Sequence, residues 1–239
     1  IVGVKDIEAA RLSWQRLGFT TCPRGKHIGW GTANYCIMFA DDYVELLGIV
    51  DASQFTNNLD TLLAEQGEGL LGMAFASSHI DDLAQKLDGQ AQYLKRLLEL
   101  TEGTVEPHFK LVHPPKGTMP GLSGFFVDHR TPEMMRRPEW LIHANGATGI
   151  ASISIAVQDV ASARETYMRI FGADFVNSAI NLVVAGEASG FCELTLRVAD
   201  LQATETFLRD AGVSFAHNED GLSVALKQAT GAKLSFVSP

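Results

Sequence analysis

The sequence predicts an α+β protein made of four repeated βαβββ units arranged in two pairs. Three observations carry this. A short β-branched run, a Val-x-Asp step, an amphipathic stretch and a Gly recur along the chain in that order. Further short strands follow each recurrence. The composition, 46% hydrophobic and 20% charged over 239 residues, suits a folded globule with room for two ordinary domains.

The copies can be read directly. Residues 1–20 are IVGVKDIEAARLSWQRLGFT, residues 153–175 are ISIAVQDVASARETYMRIFGADF, and residues 194–215 are LTLRVADLQATETFLRDAGVSF. Asp6, Asp159 and Asp200 stand where a helix N-cap belongs, since a carboxylate accepts the free N–H groups of the first turn. Gly18, Gly172 and Gly212 follow where a left-handed C-cap is wanted. Between them apolar residues such as Ala203, Phe207 and Leu208 recur at helical spacing. Residues 73–88, MAFASSHIDDLAQKLD, read as a worn copy with Asp81 or Asp82 as cap. Strands are expected within 35–49 and 108–128, at NLVVAG, and at LSVAL and KLSFV. The third copy is short between Phe175 and Phe191, so either its sheet is trimmed or residues are absent. A lone unit of roughly 50 residues buries too little surface to be stable, so copies should pair and cover one another. The expected partition is 1–128, a linker at 129–148 with two prolines and an Asn-Gly turn, and 149–239.

Several function classes are excluded at this level. No apolar run approaches the ~20 residues of a membrane helix. A net charge of −9, with no basic cluster longer than Arg136-Arg137, argues against nucleic acid and anionic membrane as partners. Cys22, Cys36 and Cys192 are scattered without a CxxC, which suits a reducing, cytoplasmic setting. The chain opens on IVGV, without Met and already in strand pattern, so residues can precede it. The Gly-rich runs GEGLLG and GTMPGLSG lack the Lys and spacing of a phosphate loop. No nucleophile motif is present.

Glu45 is the residue that asks for an explanation. In Tyr43-Val44-Glu45-Leu46-Leu47 both strand faces carry apolar neighbours, so a carboxylate there must be protonated, paired or metal-bound, or sit at a wet strand end. His27 lies in the turn GKHIGWGT, with Trp30 and Asn34 flanking it. An indole and an amide there could stack on and orient a small ligand, or simply pack. His129 ends the run Phe125-Phe126-Val127-Asp128 and could pair with a carboxylate to move a proton, or cap the linker. His108 and His113 are on opposite faces of any strand and so are no ligand pair. His79, His143 and His217 are assigned no chemistry.

Repeated βαβββ modules with VKDIEAARLSWQRLGF, GWGTANYCIMFADDYVELLGI and FFVDHRTPE…RRPEW…HANGA resemble the vicinal oxygen chelate superfamily (glyoxalases, bleomycin-resistance proteins, extradiol dioxygenases), in its glyoxalase-like two-domain branch. The resemblance implies two glyoxalase-like domains, each a curled mixed sheet forming a cup with helices outside. It implies one divalent metal (Zn, Fe, Mn or Ni) held by first-strand and last-strand residues of paired modules. Glu45 takes the last-strand Glu position of the first module, and the first-strand ligand would fall upstream of Ile1. In the second module Gly72 and Met73 cannot ligate effectively, and Asp128 and His129 are the candidates. In the second domain the corresponding places fall near Ser152 and Glu193 and at Ser235. That half is therefore expected to be structural or a lid, with the site in 1–130. The function implied is a metal-assisted lyase, isomerase or dioxygenase acting on a small oxygenated substrate, with His129 and His27 as proton-transfer candidates. The alternative is a metal-free small-molecule-binding protein of the bleomycin-resistance type, and a third reading is a vestigial cup serving assembly. An exposed sheet edge leaves a homodimer open.

Overall fold

The computed structural model describes residues 1–186 and 188–239. The first module runs β1 (Val2–Val4), α1 (Ile7–Arg16), β2 (Gly25–His27), β3 (Thr32–Met38) and β4 (Tyr43–Ile49). Helix α2 (Leu59–Gln66) and the two-residue β5 (Gly69–Leu70) lead to the second: β6 (Met73–Ala76), α3 (Ile80–Lys86), β7 (Ala91–Leu100), β8 (Gly103–Val105), β9 (His108–Val112) and β10 (Gly124–His129). Short 3-10 turns at Pro132–Met134 and Pro138–Trp140 precede β11 (Ala147–Val157), α4 (Val160–Phe171) and β12 (Ile180–Val184). The last module is β13 (Gly190–Val198), α5 (Leu201–Asp210), β14 (Phe215–His217), β15 (Gly221–Val224) and β16 (Leu234–Val237).

The strands form two mixed sheets. The first has the order β5-β1-β4-β3-β2-β7-β9-β10-β6, with β8 paired to β7, and the second β12-β11-β13-β16-β15-β14. Each complete module therefore repeats one pattern, its first strand lying parallel to its last: β1 on β4, β6 on β10, β13 on β16. The two modules of the first sheet join where β2 meets β7, with Gly25 opposite Leu98, Lys26 opposite Leu97 and His27 opposite Arg96. Among the described residues the third copy has the strands β11 and β12 with α4 between them.

The repeat signals act as their chemistry requires. The carboxylates of Asp6, Asp159 and Asp200 accept first-turn N–H groups of α1, α4 and α5. Gly18, Gly172 and Gly212 take φ of +93°, +66° and +63°, the left-handed region that stops a helix cheaply only at glycine. The worn copy differs from expectation. The cap of α3 is His79, without a side-chain cap bond, and Asp81 and Asp82 lie inside the first turn. They favour the positive end of the helix by charge rather than by capping. Neither α2 nor β7 was foreseen from the sequence.

One face of the first sheet is core. Ala33, Tyr35, Ile37, Val44 and Leu46 pack with Ala10 and Trp14 of α1 and with Ile155, Leu194, Leu196 and Phe236 of the second sheet. The opposite face is concave, and side chains of the other strand parity line it. That alternation turns Glu45 away from the core while its neighbours Val44 and Leu46 are buried in it.

Candidate functional site

Following the register across the concave face gives the site. Glu45 on β4 is opposite Cys36 on β3, Asn34 is opposite Gly25 on β2, and His27 is opposite Arg96 on β7. Directly paired strand residues share a face, so Asn34, Glu45, His27 and Arg96 converge. All four are buried, with relative exposures of 1%, 8%, 6% and 4%. They line a cavity of about 860 Å³ together with Trp30, Tyr43 and Leu47, and with Leu94, Leu111, Phe125 and Val127 on the opposite wall.

The polar network has a definite direction. The Asn34 amide donates from Nδ2 to a Glu45 carboxylate oxygen in a short contact. The same Nδ2 lies 3.5 Å from His27 Nε2, and His27 Nδ1 lies 2.7 Å from Thr32 Oγ1. An amide hydrogen pointing at Nε2 assigns the imidazole as the neutral Nδ1–H tautomer, donating to Thr32. Burial holds the His27 pKa down to about 4, Arg96 adding to the effect and Glu45 opposing it. Asn34 Oδ1 has no partner among the described residues. Gly25 makes room for this arrangement, since a Cβ there would lie 2.3 Å from both Asn34 Oδ1 and Arg96 Cδ.

Arg96 is the residue sequence reasoning missed. Its Nη1 donates to Cys36 Sγ at 3.3 Å and its Nη2 to Met135 Sδ at 2.6 Å, and its Nε has no partner. Among the described residues no carboxylate stands within 4 Å of it, whereas the other buried cation, Lys110, is paired with Asp81 at 2.5 Å. The available signal was parity. Arg96 stands between Leu94 and Leu98 at the spacing that flagged Glu45, but the segment was not read as a strand.

The structure brings His27, Trp30, Asn34 and Glu45 to one cavity, with the Trp30 ring 5.8 Å from that of His27. His129 is on the same face but lies beyond Tyr43, whose hydroxyl is 3.3 Å from His129 Nε2, in a separate side chamber of about 150 Å³. Asp128 turns away to Arg130 at 3.0 Å. His113 lines the large cavity at its rim and meets Asn57 at 3.3 Å, while His108 bonds Glu106. His143 is structural, accepting from the Thr20 N–H and donating to the Met38 carbonyl. In the second sheet Glu193 is engaged by Ser235 and by Lys233.

A family model described as a glyoxalase-like domain matches residues 1–171. The chain belongs to this family, and so to the vicinal oxygen chelate superfamily. The glyoxalase-like fold is similar over its full length to a hypothetical protein from Staphylococcus aureus, with a TM-score of 0.68, 13% identity, and coverage of 100% of this chain and 98% of that one. It also resembles a mutant 4-hydroxymandelate synthase from Streptomyces coelicolor (TM-score 0.57, 10% identity, 99% and 91% covered). A 2,3-dioxygenase from Pseudomonas sp. KL28 is similar too (TM-score 0.55, 9% identity, 100% and 90% covered). These likenesses speak to fold. No curated protein matches in sequence. No helix among the described residues is long and apolar enough to cross a membrane.

The glyoxalase-like resemblance implies a divalent ion, and the donor set can be tested against it. Leu46 faces Val2, four residues before the cap Asp6, and Phe126 faces Phe75, four before the cap His79. One position earlier on the two last strands stand Glu45 and Phe125, so the second module offers a phenyl ring where the first offers a carboxylate. No group of three or more His, Cys, Asp or Glu side chains gathers among the described residues. Arg96 adds a fixed positive charge beside the one carboxylate. On their own these residues do not complete a divalent-ion site, the first-strand position falling upstream of Ile1.

Proposed function

We propose that the cup is an active site for proton transfer on a small oxygenated molecule, of the isomerase or lyase type. The observation that carries this reading is Glu45. It is buried on the cavity floor, oriented by Asn34, and free of any ion pair among the described residues. A carboxylate held in that way is a general base within reach of a bound C–H or O–H group. Arg96 supplies fixed positive charge toward an oxygen that gains negative charge as the proton leaves. His27 is a positioning residue: its neutral imidazole sets the direction of the Asn34 amide, which in turn sets the carboxylate. Trp30, with Phe55 at 5.0 Å, offers a ring face at the mouth.

The test is proton exchange. A panel of small 2-oxo acids and ketones incubated with the protein in D2O should lose α-proton signal by NMR. Glu45→Gln should slow that loss by about 10²-fold or more, the scale of general-base catalysis, while the ligands still bind. Binding without exchange in the unaltered protein would refute proton transfer. It would leave the second reading, ligand capture without chemistry, which the apolar wall of Leu94, Leu111, Phe125 and Val127 favours.

A further inference from the structure

The side chamber holding His129 is lined by Tyr43, Arg96, Phe109, His129 and Arg136, among others, and by no carboxylate. Two guanidiniums, an imidazole and a phenol surround about 150 Å³. That volume is well above the ~10–15 Å³ that one water needs, enough for an oxyanion head group. Tyr43, Arg96 and Phe109 also line the main cup, so the two hollows share a wall.

The two arginines are fixed by different means, and among the described residues neither has a carboxylate within 4 Å. Arg136 donates to the backbone carbonyls of Phe39 and Ala40 at 2.8 Å and of Asp41 at 3.2 Å. Arg96 has sulfur acceptors for two of its five N–H groups, nothing at Nε, and no carboxylate partner. Sulfur is a weak acceptor and no carboxylate stands within 4 Å of Arg96 among the described residues, so desolvation is opposed only by the longer-range field of groups such as Glu45. A ligand anion would repay it.

We propose that the side chamber is an anion subsite, where Arg96 and Arg136, with Tyr43 and His129, take the carboxylate of a ligand whose apolar body lies in the main cup. The inference rests on the reading of that cup as a small-molecule site and adds the chemical class. The apolar wall of the cup selects a carboxylate on a hydrocarbon or aromatic body over a bare inorganic anion.

The experiment is calorimetric and NMR-detected binding of benzoate, phenylacetate, 3-phenylpropionate and 4-phenylbutyrate, each against its neutral amide, with inorganic phosphate as a separate probe. At least one carboxylate should bind tenfold or more tightly than its amide. Arg96→Met should erase that preference, bringing the acid-to-amide affinity ratio to about one. The melting temperature of ligand-free Arg96→Met checks that the variant is folded; Arg96→Lys, which keeps the charge, should retain part of the preference. Equal binding of acids and amides, unchanged by Arg96→Met, would overturn the subsite and leave the cup reading standing. Arg96-dependent binding of phosphate tighter than that of every carboxylate would overturn the assigned class. Failure of all acids and amides to bind would remove both readings.

Discussion

His27 gives the sharpest stability test. Its imidazole is 6% exposed and its pKa is about 4, against 6.5 for an unhindered histidine. The native state therefore refuses a proton that the unfolded chain accepts anywhere between those values. Unfolding takes up a proton in this window, so stability is complete above pH 6.5 and falls as pH drops toward 4. At ~1.4 kcal/mol per pKa unit the full difference is roughly 3 kcal/mol. The perturbation is His27→Gln, which keeps a hydrogen-bonding amide in place of the ring and removes the titration. Urea unfolding of both proteins at pH 7.5 and pH 4.5 measures it. The native protein should lose about 2–3 kcal/mol more than the variant across that interval. The comparison must be a difference, because His113, His129 and His143 are also held below the usual histidine value by burial. If the two proteins lose the same stability, His27 is not the neutral acceptor that fixes Asn34, and the orientation assigned to Glu45 falls with it.

Other consequences are smaller in scope. Gly25→Ala places a Cβ 2.3 Å from Asn34 Oδ1 and Arg96 Cδ, and should cost about 1–3 kcal/mol in urea unfolding while weakening carboxylate binding. Asn145 is 1% exposed; its Nδ2 donates to the Leu17 carbonyl at 2.8 Å and its Oδ1 accepts from the Ala147 N–H. Asn145→Ala should therefore cost about 1–3 kcal/mol by the same measurement, as two buried backbone groups lose their partner. Asp200→Ala removes the acceptor of two first-turn N–H groups of α5 and should lower stability by about 1 kcal/mol without altering ligand affinity.

The parts of the fold legible in the sequence are those governed by local chemistry. Asp6, Asp159 and Asp200 announce their helices because a cap is a contact within four residues. Glu45 could be singled out because strand alternation is local too. Arg96 could not, because its surroundings are assembled from β3, β7 and the turn bearing Met135, which only the folded chain brings together. A buried arginine is also rare enough that a Lys-Arg pair reads first as surface. His129 shows the other limit. Its strand and face were accessible to reasoning, but the ring of Tyr43 that separates it from Glu45 was not.

The joint between β2 and β7 has a consequence for how this protein can be cut or bent. His27 and Arg96 face each other across it, through three facing residue pairs. Neither half-sheet owns the chemistry: one brings the acid and the ring, the other the guanidinium. A slight opening along that line would change the spacing between opposite charges before it disturbed either hydrophobic layer. A protease nick between the halves would be silent in secondary structure yet felt at once in the hollow.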